Sequence, residues 1–198
     1  MPFSEFFAVF VKFFFILTPF FIIAVFLAMT ENETVEVRHA LAVRITIAVV
    51  IISLILFFAG MTIFTTLGIT VDAFRIGAGA LLFLSGVSLV NGKLEVPAKR
   101  SIMDLAVVPL AIPVTLGPGS VGALVVMSTE TTSLTARLLT ALAIMAASLA
   151  VGVLLYLSAE IKRLIGRSGI SMLSKLTGLI LAALSSHMMF TGIAAYLK

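Results

Sequence analysis

The chain has 198 residues, of which 61% are hydrophobic and 11% charged, with a mean hydropathy of +1.26. Soluble domains carry about 25% charge, so an ordinary water-soluble fold is excluded and a multi-pass all-α membrane protein, its helices in contact with the lipid bilayer, is predicted. The net charge of +4 lies in clusters between apolar runs without interleaved aromatics, which speaks to membrane orientation and not to nucleic acid, and the absence of Cys excludes disulfides and thiolate metal ligands.

The opening Met1-Pro2-Phe3-Ser4-Glu5 has no positive n-region, so the first apolar run reads as a retained transmembrane helix 1 over residues 6–29 and not as a signal peptide. Lys12 can snorkel to the headgroups, and Thr18-Pro19 falls near mid-depth, where it should bend the helix. Residues 30–39, with Glu31, Glu33, Glu36 and Arg38, read as a solvated loop. Helix 2 is expected over 41–64, with Arg44 near its entrance. After the turn Thr65-Thr66-Leu67-Gly68, helix 3 follows over 71–90, carrying Asp72 and Arg75 in its first turns and small residues such as Gly86 that let helices approach closely. A polar linker with Lys93, Pro97, Lys99 and Arg100 precedes helix 4 over 104–127. A polar loop over 128–137 and helix 5 over 138–157 come next. A basic loop with Lys162, Arg163 and Arg167 then leads to helix 6 over 171–197, which carries Lys175 near its start and His187 within.

Helix 4 contains the most unusual stretch, Pro109-Leu110-Ala111-Ile112-Pro113-Val114-Thr115-Leu116-Gly117-Pro118-Gly119-Ser120. Each proline lacks an N–H and crowds the carbonyl four residues back, so Pro109, Pro113 and Pro118 release the carbonyls of Leu105, Pro109 and Val114. In a bilayer such backbone persists only where protein or a wet cavity satisfies it, which predicts an internal site. The alternative is a proline kink that holds no ligand.

The basic residues concentrate in the loops after helices 1, 3 and 5, which the positive-inside rule makes cytoplasmic, so both termini are expected outside. A shift of 99 residues aligns Pro19 with Pro118, Ala24 with Ala123, Thr30-Glu31 with Thr129-Glu130 and Arg38 with Arg137. A shift of 100 aligns Arg75 with Lys175 and Gly92 with Gly192. Three helices per half is an odd number, so the expected architecture is six transmembrane helices as two inverted three-helix repeats with broken helices 1 and 4. The domain reading is a single integral membrane domain over 1–198, with repeat 1 over 1–92, a linker over 93–103 and repeat 2 over 104–198. The breaks would then meet near the midplane. Half-helix N-termini such as Gly119-Ser120 would take a carboxylate and loosened carbonyls an ammonium or Na⁺, which suits a small zwitterion.

At these residues the chain resembles the MarC family of inner-membrane proteins, some of which are described as small neutral amino-acid transporters. Pro109-Leu110-Ala111-Ile112-Pro113 with Gly117-Pro118-Gly119 is the most specific part of the resemblance. Phe74-Arg75-Ile76-Gly77-Ala78-Gly79, Arg167-Ser168-Gly169-Ile170 and Lys175-Leu176-Thr177-Gly178 are similar to further family landmarks. The first half departs: where the family typically reads Asn-Pro-x-Gly and then a second proline, this chain has Thr18-Pro19-Phe20-Phe21 and then Ala24. Phe21 brings bulk in place of glycine and should narrow the pocket. The resemblance implies a secondary transporter or exporter of small neutral amino acids or similar small solutes across the inner membrane, driven by Na⁺ or H⁺ or facilitative, and open to homo-oligomer formation. Its substrate-binding residues would be Thr18, Pro19, Pro113, Thr115, Gly117, Pro118, Gly119 and Ser120.

Other chemistry is less well supported by the residues. Ser120 with His187 invites an intramembrane hydrolase reading, but Pro118 occupies the first glycine position of a nucleophile elbow. No HExxH, paired mid-membrane Asp or phosphate loop occurs, so neither an enzyme nor a metal or organic cofactor is expected. His187 inside helix 6 is a candidate proton relay, the alternative being a neutral imidazole bonded to Ser85 or Ser186. The rival class is a non-transporting membrane scaffold or partner subunit.

Overall fold

A computed structural model describes residues 3–30, 32–66, 68–92, 115–131 and 133–197. Those residues form seven helices and no strand: α1 (Phe3–Ile16), α2 (Pro19–Met29), α3 (Val35–Thr66), α4 (Val71–Val90), α5 (Pro118–Glu130), α6 (Leu134–Tyr156) and α7 (Ser158–Tyr196). Among the described residues five stretches are long and apolar enough to cross a membrane: Ser4–Met29, Val35–Ile63, Val71–Val90, Leu134–Tyr156 and Ser158–Tyr196. The expected fourth helix is represented by α5, and its first half, 104–114, lies outside the described residues together with Pro113 and the linker cations.

The first expected helix is broken, not merely bent. Pro19 has no N–H to continue the ladder, and Thr18 turns into the left-handed region (φ 52°, ψ 56°) while its amide closes on the Phe15 carbonyl at 3.0 Å. Pro19 then opens α2, where its fixed φ suits a first helical position. Pro118 opens α5 in the same way behind Gly117, whose carbonyl accepts from the Val121 amide at 3.1 Å. Both proline-led pieces are apolar nearly all round, and helices of that kind end up enclosed. Ile22, Ile23, Val25 and Phe26 of α2 and Ala123, Leu124, Val125 and Val126 of α5 are buried.

The long helices surround them. α4 packs along α7 and α3 along α6, while α2 lies on α7 and α5 on α3 and α4. Glycine sets the α4–α7 distance: a Cβ added at Gly178 would stand 2.6 Å from the Gly86 carbonyl oxygen, and one at Gly86 would stand 2.7 Å from that of Gly178. The two backbones touch. On the outside, Val43, Ile47, Ile51 and Ile55 form an exposed apolar stripe at four-residue spacing along α3, the face such a helix offers to lipid.

Several boundaries differ from the sequence reading. α3 begins at Val35 and not at 41, because Thr34 accepts from the Val37 amide at 3.4 Å and the Arg38 guanidinium donates to the Thr30 carbonyl at 3.0 Å, tying the first turns to the end of α2. α6 begins at Leu134, where Ser133 caps the Ala136 amide at 3.1 Å, so Arg137 is helical. The basic loop is helical as well: α7 runs from Ser158, interrupted only at Gly166 (φ 68°, ψ 176°). At about 1.5 Å per residue a continuous 39-residue helix would far overrun a hydrocarbon core of about 30 Å. The turn at Gly166 divides it into 158–165 and 167–196. That backbone region is open essentially only to glycine.

Candidate functional site

The two proline-led half-helices meet at the break in the first span. Ser120, buried in the first turn of α5, donates its hydroxyl to the Ile16 carbonyl at the open end of α1, a long contact at 3.4 Å. The first-turn amides of Phe20 and Phe21, and those of Gly119 and Ser120, have no helical acceptor by construction. Thr18 is half-buried, Pro19 and Thr115 are buried, and Gly117 with Pro118 forms the start of α5. Gly119 faces α4: a Cβ there would run into the Leu82 side chain, so this contact alone calls for glycine.

Two cavities reach this junction from opposite ends of α4. The first, about 270 Å³, runs from Phe21 and Ala24 along α2 to Leu27, between Ser88 and Leu89 of α4 and Ile170 and Ser174 of α7, and Lys162 and Arg167 stand at its polar end. The second, about 180 Å³, starts from Ile16, on the other side of Thr18-Pro19. It passes Leu82 of α4 and Ala123 and Val126 of α5, and its charged lining is Lys12, Arg75 and Glu130 with His187. Several lining positions are the partners in the sequence shift: Ala24 with Ala123 and Leu27 with Val126 at 99, and Ser88 with Met188 at 100.

Charge is arranged differently in the two. In the second cavity Arg75 bonds Asp72 of its own helix at 2.9 Å and Glu130 of α5 at 3.3 Å. Glu130 ends α5, where a helix dipole disfavours a carboxylate, and the guanidinium offsets that. The charged residues in the lining of the first cavity are Lys162 and Arg167.

His187 lines the second cavity on an exposed face of α7. Ser85 and Ser186, suggested as its partners, donate to the Leu81 and Ala182 carbonyls of their own helices. Nor does Ser120, bonded to Ile16, engage His187 as a nucleophile would its base. Among the described residues no three His, Asp or Glu converge on a point.

Sequence reasoning passed over Lys162, Arg167 and Glu130 as loop charges. The available signals were Gly166 between two basic positions and the alignment of Glu130 with Glu31 in the repeat.

The chain matches the family described as MarC family integral membrane protein across residues 3–197. It is 36% identical over 186 residues to a UPF0056 membrane protein of Methanocaldococcus jannaschii, covering 90% of each chain. It is 31% identical over 202 residues to the UPF0056 membrane protein YhcE of Escherichia coli, covering 96% of this chain and 93% of that one. A UPF0056 membrane protein of Aquifex aeolicus is 29% identical over 191 residues, covering 92% and 89%. These names describe membrane proteins and state no activity. No solved structure matches.

Proposed function

The chain belongs to the MarC family of integral membrane proteins, and from that premise we propose that it is a secondary transporter or exporter of small neutral amino acids or similar small solutes across the inner membrane. One observation carries the reading: two cavities approach the broken helix, one lined by Ile16 and the other by Phe21, while Leu17 and Ile22 beside the break are buried. That is the form of a carrier closed on both sides. Half-helix amides at the two proline-led starts are suited to a substrate carboxylate, with Thr18, Pro19, Thr115, Gly117, Pro118, Gly119 and Ser120 as its candidate binding residues and Pro113 a candidate from the sequence alone.

The pairing of lining positions at shifts of 99 and 100, and the packing of α2 on α7 alongside that of α5 on α4, support two inverted repeats within a single membrane domain. The basic residues around Gly92, Lys162 and Arg167 support a cytoplasmic opening for the first cavity and termini on the outside. His187 and Glu130, together in the second cavity, are the groups through which H⁺ would couple, and the broken backbone is where Na⁺ would.

The test is flux in proteoliposomes holding the purified chain, with radiolabelled alanine, glycine and serine under imposed Na⁺ and H⁺ gradients. Saturable movement above that of empty liposomes is expected. Flux equal to empty liposomes for every solute and gradient would refute transport and leave a scaffold or partner subunit.

A further inference from the structure

Lys12 lies inside the apolar stretch Ser4–Met29, about one helical turn before Ile16, and its sequence position alone would send the ammonium to the headgroups. In the fold it is half-buried and lines the second cavity with Arg75, Glu130 and His187. Among the described residues the ion pairs here are those of Arg75 with Asp72 at 2.9 Å and with Glu130 at 3.3 Å, and Lys12 belongs to neither. An ionisable group within a membrane span is costly to keep unless it has a partner or a task. Cα–Cβ bonds tilt toward the N-terminus of a helix, so the stem of Lys12 leads away from the break at Thr18-Pro19. Glu130 lies on that same side, at the end of α5 remote from Pro118. Arg75 engages Oε1 of Glu130, and the side chain is 50% exposed, which leaves Oε2 for another donor.

The cavity therefore offers a cation and a carboxylate oxygen beside an apolar wall of Ile16, Leu82, Ala123 and Val126. Its charges also balance. Lys12 and Arg75 are positive and Asp72 and Glu130 negative, so a simple carboxylate or a simple amine would bring uncompensated charge against low-dielectric walls. A net-neutral molecule carrying both groups would not. We propose that the second cavity is a docking site for a zwitterion, whose anionic group takes the Lys12 ammonium and whose own ammonium takes Oε2 of Glu130. It stands away from the proline-led starts, so it is an entry station separate from the half-helix amides. It rests on the transport reading in the choice of a neutral amino acid as solute, and not in the chemistry that binds it. The same pair of charges is presented by the headgroup of phosphatidylethanolamine.

The experiment is equilibrium titration of the full chain, delipidated in detergent, with alanine, with propionate, which lacks the ammonium, and with alaninamide, which lacks the carboxylate. A second arm measures retention in nanodiscs of phosphatidylethanolamine against phosphatidylcholine, whose ammonium has no N–H to donate. Lys12→Gln is expected to weaken alanine about tenfold and to leave alaninamide unchanged. Glu130→Gln should weaken alanine and alaninamide about tenfold each and leave propionate no weaker. Lys12→Arg should keep most of the alanine affinity, and Glu160→Gln, at an exposed position outside the lining, should match the parent. Opposite responses of the two analogues are not what a loss of folding produces, and Tm is read alongside. Alanine following this pattern identifies a solute site. Phosphatidylethanolamine retention lost in both glutamine variants, with no alanine binding, identifies a lipid headgroup. Alanine no tighter than its analogues with phosphatidylethanolamine retained no better than phosphatidylcholine, or both variants matching Glu160→Gln in both arms, overturns the proposal. The alanine pattern without flux in liposomes would sink transport and leave this site standing, whereas flux of alanine indifferent to both substitutions does the reverse.

Discussion

The two cavities hang on the same α4–α7 seam and flank the same break, yet the first has Lys162 and Arg167 in its lining and the second has Lys12 with an Arg75 bonded to both Asp72 and Glu130. The walls are alike in composition, since Ala24 and Leu27 line one cavity and Ala123 and Val126, which a shift of 99 residues aligns with them, line the other. Their charges are not alike. Two vestibules with similar walls can still differ in electrostatics, so the ends need not treat a solute alike. In the second cavity Arg75 is already engaged by Glu130.

The strongest way to break the comparison is to remove what both cavities share. Gly178→Leu places a side chain against the Gly86 carbonyl and against Leu89, whose Cβ would be 2.9 Å from the new Cβ. The expected cost is about 3 kcal/mol or more, read as a Tm lower by roughly 10 °C in detergent, with ligand response lost at both ends. A Tm within a degree or two of the parent would mean that the seam is looser than its geometry.

Next in size, Phe21→Ala sharpens the contrast by enlarging only the first cavity. Truncating this half-buried ring should cost about 1–3 kcal/mol, while valine and leucine gain stabilising power relative to alanine in a thermal-shift assay. An unchanged preference would show that Phe21 does not set the size limit.

The smallest effect is expected at the other end. Glu130→Gln breaks the inter-helix half of the Arg75 ion pair, and because the Glu130 side chain is 50% exposed the stability change should stay below about 1 kcal/mol and shrink with salt. Binding of anions at the second cavity should rise, as Arg75 loses one competitor. If the substitution instead lowers Tm as much as Phe21→Ala, the pair is structural and the two ends differ in stability as well as charge.

Much of this arrangement was legible in the residues. Pro19 and Pro118 announced the breaks because a missing N–H acts locally, whatever the tertiary setting. The apolar spans followed from composition alone. The helical nature of 158–165 was hidden because Lys162 and Arg163 were read as loop charges, although a polar helix is stable when part of it packs, as Ile161 does against the core. Convergence of Lys162 and Arg167 depends on one φ value at Gly166, which sequence spacing does not encode. Gly119 illustrates the same limit: its need for close approach was readable, but not that Leu82 of α4 lies against it.

The backbone contact between Gly86 and Gly178 also constrains how the protein is made. More than half of the chain follows α4, so its row of small residues, Ala78, Gly79 and Gly86, must wait in the bilayer without the helix it fits. Waiting is tolerable because the α4 backbone satisfies its own hydrogen bonds in lipid. The unmated groove is nonetheless accessible to any other small-faced helix nearby. Arrival of α7 closes it, and with it the walls of both cavities, so a shortened product lacking α7 would insert but have neither vestibule.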